Sequence, residues 1–199
     1  ASVGEKVYFG KYPCDKNGGK QPIQWRVLTK RENTLLLLTE YGIDEKSYHE
    51  NDSDITWENC TLRRWLNGEF LNKAFFDFEK KLIQRTNVDN GQAESYSGYN
   101  TVGGNHTKDR VFLLSYKEAF EDYFSDNNSR ICFPTEYAKS RGAYVDENTG
   151  SALWRLRSPG DYQDRAAIVR ADGSRRENYV DLDGTCVRPA LWINLESGI

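Results

Sequence analysis

The side chains of this 199-residue chain best suited to chemistry lie near its C-terminus, and the chemistry they offer is recognition. Leu156-Arg157-Ser158-Pro159-Gly160 and Val187-Arg188-Pro189-Ala190-Leu191-Trp192-Ile193 bracket a polar tract. Within it, Asp161-Tyr162-Gln163-Asp164-Arg165, Arg170 and Arg175-Arg176-Glu177-Asn178-Tyr179 alternate with small residues. From Ser151 onward there are seven Arg and no Lys, against eight Arg and twelve Lys before it. Arg and Tyr supply stiff, amphipathic contact area and planar donor forks at low entropic cost, so the tract is expected to form a ligand surface. The plainer alternative is a set of solvated loops in which Arg165, Arg175 and Arg176 pair with Asp161, Asp164 and Glu177, and such pairs contribute little.

Catalysis is the competing class. Cys14, Cys60, Cys132 and Cys186 are widely separated, with no C-x-x-C. His49 and His106 sit in polar segments away from any Cys, so a zinc site is not expected. A Cys–His nucleophile would need one of those imidazoles beside a thiol of low pKa. No Ser-His-Asp pattern, phosphate loop or dinucleotide fingerprint is present. The thiols are expected to be mostly reduced. Asp172, Asp181 and Asp183, or Asp52 and Asp54, are the only candidates for calcium; Asx-turns explain them more simply, and no cofactor is expected. Arg157 and Arg188, next to Ser158-Pro159 and Pro189, are expected to hold loop carbonyls and carboxylates, an anion site being the alternative.

Composition sets the frame for these residues. The net charge of -3 does not point to a nucleic-acid partner, and no apolar run is long enough to insert in a membrane. Five Trp, twelve Tyr and nine Phe suit a folded domain with large aromatic anchors. One domain over 1–199 is expected, with a sheet and helical insert in 1–110 and the ligand tract in 111–199. Oligomeric state does not follow. The opening at Ala1, without Met or leader, leaves the compartment open.

The elements that must position the tract read as follows. Val7–Tyr12, Ile23–Leu28 and Thr34–Thr39 are strands, the last two a hairpin about Arg31-Glu32-Asn33. Thr56 is a candidate cap for a helix over 57–66, with Asn67-Gly68 breaking it before short helices over 69–76 and from Asp77. Residues 89–109, rich in Gly, form a long loop of the kind that is usually functional or mobile. Val111–Leu114 is a buried strand, Ser115-x-x-Glu118 a capping box, and Pro134–Lys139 a short helix stopped by Gly142. Short strands follow at 153–157, 166–169, 180 and 187–194, with Asp172-Gly173 at a hairpin turn.

In this order, Ile23–Leu28, Ile55–Asn59 with Leu62–Asn67, Asp109–Ser115, Pro134–Ala138, Leu156–Gly160 and Val187–Trp192 resemble a bacterial domain family of unknown function along nearly the whole chain. The C-terminal half also resembles the C-type-lectin-like fold shared with formylglycine-generating-enzyme domains. The tract between the LRSPG-like and VRPAL-like motifs is similar to that of variable proteins diversified by retroelements. The resemblance implies an α+β, C-type-lectin-like domain of small antiparallel sheets, packed helices and a loop-rich C-terminal half. It implies a non-catalytic module taking a protein or glycan ligand at a cell surface or outside the cell. Adenine mutagenesis of Asn-type codons gives Arg, Tyr, Asp and Ser but not Lys; Gln163 and Glu177 depart from that rule. Arg155 stands at an aromatic position and is expected to join the variable surface, with Tyr162, Tyr179 and Arg155 itself as its anchors. The enzyme alternative requires Cys132 or Cys186 to be an exposed thiol of lowered pKa. A structural module of a larger surface protein is the third reading.

Overall fold

The alternating and apolar runs at the two ends of the chain meet in one sheet. In a computed structural model describing residues 1–196, β1 (Lys6–Pro13), β2 (Lys20–Arg31), β3 (Thr34–Thr39) and β11 (Ala190–Asn194) pair in the order β1-β2-β3-β11. Leu35 to Leu38 are buried because β3 is an inner strand covered on both faces. The β2–β3 turn puts Glu32 at a φ of 50°.

A second sheet carries the tract. It comprises β4 (Asp44–Glu45), β7 (Trp154–Pro159), β8 (Arg165–Val169), β9 (Arg175–Tyr179) and β10 (Cys186–Val187), in the order β4-β10-β7-β8-β9. Only β10–β7 is parallel. A small third sheet, β5 (Thr86–Val88) with β6 (Thr107–Asp109), closes the base of the long loop. Asp109 pins that base: its carboxylate accepts from Trp57 Nε1 at 3.0 Å, Arg63 Nε at 2.8 Å and Thr107 Oγ1 at 2.7 Å. Trp25, Trp57, Trp154 and Phe70 are fully buried, each worth about 1.5–3 kcal/mol of apolar transfer.

The helices depart from expectation at two points. Asn67-Gly68 does not break the helix, which runs through 61–74 with a π-helical middle, Leu66–Phe70. Its continuity rests on the Asn67 side chain. Oδ1 accepts from the backbone N–H of Arg110 (2.9 Å) and Val111 (3.0 Å), and Nδ2 donates to the carbonyls of Arg63 (3.0 Å) and Val111 (2.8 Å). Such widened turns are rare and usually a single turn set within an α-helix. Thr56 does not cap; a 3-10 turn, Trp57–Asn59, intervenes, and Cys60 Sγ accepts from Arg63 N at 3.4 Å. Elsewhere the local signals hold. Ser115 and Glu118 form their reciprocal cap at 2.8 and 3.0 Å, and Thr135 caps Glu136–Ser140 before Gly142 at a φ of 107°. Val111–Leu114 is buried, but only Phe112 bridges to Ala190.

Candidate functional site

The tract folds as the β8–β9 hairpin plus the turn before it. Arg170 N donates to Ser174 O at 2.8 Å, and Gly173 sits at a φ of 82° with its Cα packed on the Asn127 carbonyl. A Cβ at Gly173 would lie 1.8 Å from that oxygen, so the turn admits only glycine there. Asp172 Oδ1 accepts from Ser174 Oγ (2.6 Å) and N (3.0 Å), bonds that hold its carboxyl below the usual range. Gly160 is required for a different reason. A Cβ there would meet Glu177 Cβ at 2.8 Å and Arg165 Cβ at 2.9 Å, preventing the hairpin from closing over β7.

Strand alternation divides the expected site residues into two rows. Cross-strand partners share a face, and the register pairs Arg165 with Tyr179, Ala167 with Glu177 and Val169 with Arg175. Arg165, Arg175, Glu177 and Tyr179 therefore lie on one face; Arg176, Asn178 and the strand-end residue Arg170 lie on the other.

The first row is a set of interleaved guanidinium groups and rings. The Arg165 guanidinium lies 4.9 Å from the Tyr162 ring and 4.6 Å from the Tyr179 ring, donates to Tyr179 Oη at 3.1 Å and pairs with Asp161 at 3.0 Å. Arg175 lies 3.8 Å from the Tyr96 ring and 5.5 Å from that of Tyr99. The Tyr99 hydroxyl bonds both Arg175 and Glu177, and burial followed by the Glu177 carboxylate pushes its phenol up. Tyr96 meets Tyr116 edge-on at 5.4 Å, and Tyr116 stacks on Phe120 at 4.9 Å, over which Arg130 lies at 4.1 Å. Tyr162 and Tyr179 remain 63% and 42% exposed. Each such contact is worth about 0.5–1 kcal/mol at an exposed site.

Tyr96, Tyr99, Tyr116, Phe120 and Arg130 were not among the expected site residues. The Gly-rich composition of 89–109 was the available signal for the first two. That loop docks on the hairpin: Thr101 Oγ1 donates to Gly160 O at 2.7 Å, and Gln163 exchanges bonds with Val102 N (3.0 Å) and O (2.9 Å) while reaching Ile55 O (3.2 Å). Gln163 and Glu177, the two positions outside the codon rule, are thus both tied to the loop. Asp164 gives its carbonyl to Val180 N at 2.9 Å. Arg170 and Arg176 are exposed and form no ion pair among the described residues.

Arg155 corrects an expectation. It is fully buried, because alternation along the inner strand β7 turns it beneath the hairpin, beside Tyr48 and Glu45. Its Nη2 donates to Tyr179 O at 2.9 Å and Leu182 O at 3.2 Å, while Nε and Nη1 have no partner among the described residues. Burial pulls its guanidinium down to about 10, against the partial offset of Tyr48 and Glu45. It supports the hairpin from below and is no part of the surface. Arg157 donates to the carbonyls of Leu113 and Asp89 (both 2.9 Å), to Asn90 Oδ1 (3.3 Å) and to the Glu118 carboxylate, with Glu94 at 3.6 Å. Arg188 donates to Thr39 O at 2.7 Å and lies 4.8 Å from the Trp154 ring. Both act as loop holders.

All four cysteines are free; Cys60, Cys132 and Cys186 are buried, and burial pushes their thiols up, that of Cys60 to about 12. His49 Nδ1 accepts from Thr61 N at 3.2 Å and His106 Nδ1 from Asn90 N at 3.0 Å. Neither imidazole bonds a thiol among the described residues. No group of three or more His, Cys, Asp or Glu side chains placed to hold a metal ion occurs among them.

What these elements define is an α+β domain with a loop-buttressed hairpin displaying Arg and Tyr. The chain belongs to the family described as a domain of unknown function, DUF6273, whose profile matches residues 32–195. No curated protein and no solved structure matches it.

Proposed function

We propose that this chain is a non-catalytic recognition domain on a C-type-lectin-like scaffold, exposed at a cell surface or outside the cell. Its ligand-facing side chains come from the 161–179 hairpin, completed by Tyr96 and Tyr99 of the loop, with retroelement diversification as the source of the tract's composition. The observation that carries this reading is a pair of stacks on one face of the hairpin, Arg165 between the rings of Tyr162 and Tyr179, and Arg175 against those of Tyr96 and Tyr99. Exposed rings and guanidinium groups held in one geometry match the composition of interaction hot spots. Pairing of the N- and C-terminal strands in one sheet supports the scaffold assignment. The buried, raised thiols of Cys132 and Cys186 speak against a cysteine-dependent oxidase.

The Arg165–Asp161 and Arg175–Glu177 pairs favour one competing reading, a structural module whose polar hairpin is merely solvated. The two are separated by screening the chain against a glycan array and a panel of cell-surface protein extracts. The control is a variant with Tyr162, Arg165, Arg175, Arg176 and Tyr179 changed to Ser. Saturable binding lost in the variant is the expected result; no saturable ligand for either protein would favour the module.

A further inference from the structure

The two rows of site residues face opposite sides of the hairpin, so one flat ligand on either face would meet only one of them. Both rows are reached together from a single direction, the outer edge of β9. Among the described residues β9 is the last strand of its sheet and pairs only with β8. The parity of its main chain is fixed by two bonds at the ends of the ladder, Val180 N to Asp164 O (2.9 Å) and Arg170 N to Ser174 O (2.8 Å). In an antiparallel pair the bonded positions alternate, so Asn178 and Arg176 bond inward to Ala166 and Ile168. Arg175, Glu177 and Tyr179 consequently turn their N–H and C=O groups outward. The Tyr179 carbonyl is taken by Arg155 and by Leu182 N. No hydrogen bond within the described chain engages the main-chain groups of Arg175 and Glu177.

We infer that the ligand is an extended protein segment that adds to the β9 edge as a further strand. This rests on the recognition reading above and narrows its ligand from protein or glycan to polypeptide. Only a polypeptide presents alternating donors and acceptors at the spacing that Arg175 and Glu177 offer, which a glycan lacks. One row of the segment's side chains lies against Tyr179 and the Arg165 and Arg175 stacks, and apolar residues suit it. The other lies beside Arg176 and Asn178, with Arg170 at the end, where exposed guanidinium groups that form no ion pair among the described residues favour carboxylates. Natural edge strands are guarded by charge, and the guard here carries the sign that selects an acidic, alternating segment.

The probe is the peptide acetyl-Val-Glu-Val-Glu-Val-Glu-Val-amide, titrated calorimetrically into the full chain. It is accompanied by two versions N-methylated on alternate sets of amides and by one with Lys in place of Glu. Strand addition predicts saturable binding, weakened roughly tenfold or more by methylating one set and less than about twofold by methylating the other. The Lys peptide binds more weakly, and Arg176→Glu reverses that order. Equal binding by both methylated peptides overturns the inference, as does a β9-dependent dimer in sedimentation, which would make a second copy the occupant. No peptide binding, together with glycan binding that the five-Ser variant loses, overturns strand addition while leaving the recognition surface standing. Undiminished binding of every ligand by the five-Ser variant would remove both.

Discussion

Arginine occupies two settings within forty residues of this chain, and the contrast separates scaffold from surface. Arg155, Arg157 and Arg188 are buried, and each donates to main-chain carbonyls of distant segments. Arg165 and Arg175 lie over tyrosine rings at the surface, and Arg170 and Arg176 are exposed and form no ion pair among the described residues. A buried guanidinium without its acceptors is a large liability, so the first group is fixed by folding. The second group touches little that the core depends on. A domain built this way should tolerate exchange of the surface set while the buried set holds the loops.

That comparison is broken most severely at Arg157. Arg157→Ala leaves Glu94 and Glu118 and two carbonyls without their common donor, and is expected to cost about 3–5 kcal/mol in denaturant unfolding. Arg157→Lys should rescue little, since one ammonium does not span those acceptors. A loss under about 1 kcal/mol for Arg157→Ala would place Arg157 with the surface group.

The buried set also governs the alkaline limit. Cys60, Cys132, Cys186, Tyr12 and Tyr48 have folded pKa values raised by burial. Groups raised on folding contribute stability that is complete below their unfolded pKa and lost as pH climbs toward the folded one. Melting temperature should therefore fall from about pH 8.5, where unfolded thiols begin to ionise, continuing toward the Cys60 value of about 12. Cys60→Ala should flatten the early part of that fall; an unchanged profile would show that the thiol does not contribute.

Arg155 sharpens the contrast within the buried group. Among the described residues it has two carbonyl acceptors but no carboxylate bonded to it, and two of its nitrogens lack partners. Arg155→Met should cost no more than about 2 kcal/mol, because apolar replacement of a poorly compensated buried charge is often near neutral. A loss equal to that of Arg157→Ala would contradict this account of its burial. The smallest effect is expected at Arg176→Ser, within about 0.5 kcal/mol of the native chain by the same measurement.

How much of this was legible in the sequence differs by scale. The runs of β1, β2, β3 and β8, the Ser115 box and the Asp172-Gly173 turn depend on residues within a few positions, and they form as expected; the expected strand over Val111–Leu114 gives only the Phe112 bridge, and Val180 lies in a turn. Asn67-Gly68 reads as a break locally, yet the Asn67 amide finds partners in Arg110 and Val111 across the fold, and the helix continues. Arg155 reads as surface because it stands where the family resemblance places an aromatic; its burial follows from β7 being an inner strand, which a single sequence does not specify. The site was legible as a hairpin of Arg and Tyr, but not as two rows, because the register that splits them comes from pairing with β8. Nor did the sequence place Tyr96 and Tyr99 against Arg175, a contact between segments far apart in the chain.

The most direct test of the central claim, that surface and scaffold are separable, is thermal melting of the five-Ser variant beside Arg157→Ala. Five surface substitutions together should lower the melting temperature by no more than about 5 °C, while Arg157→Ala alone should lower it by roughly 10 °C. A five-Ser variant that melts as low as Arg157→Ala would make the hairpin's Arg and Tyr part of the fold and contradict the recognition reading.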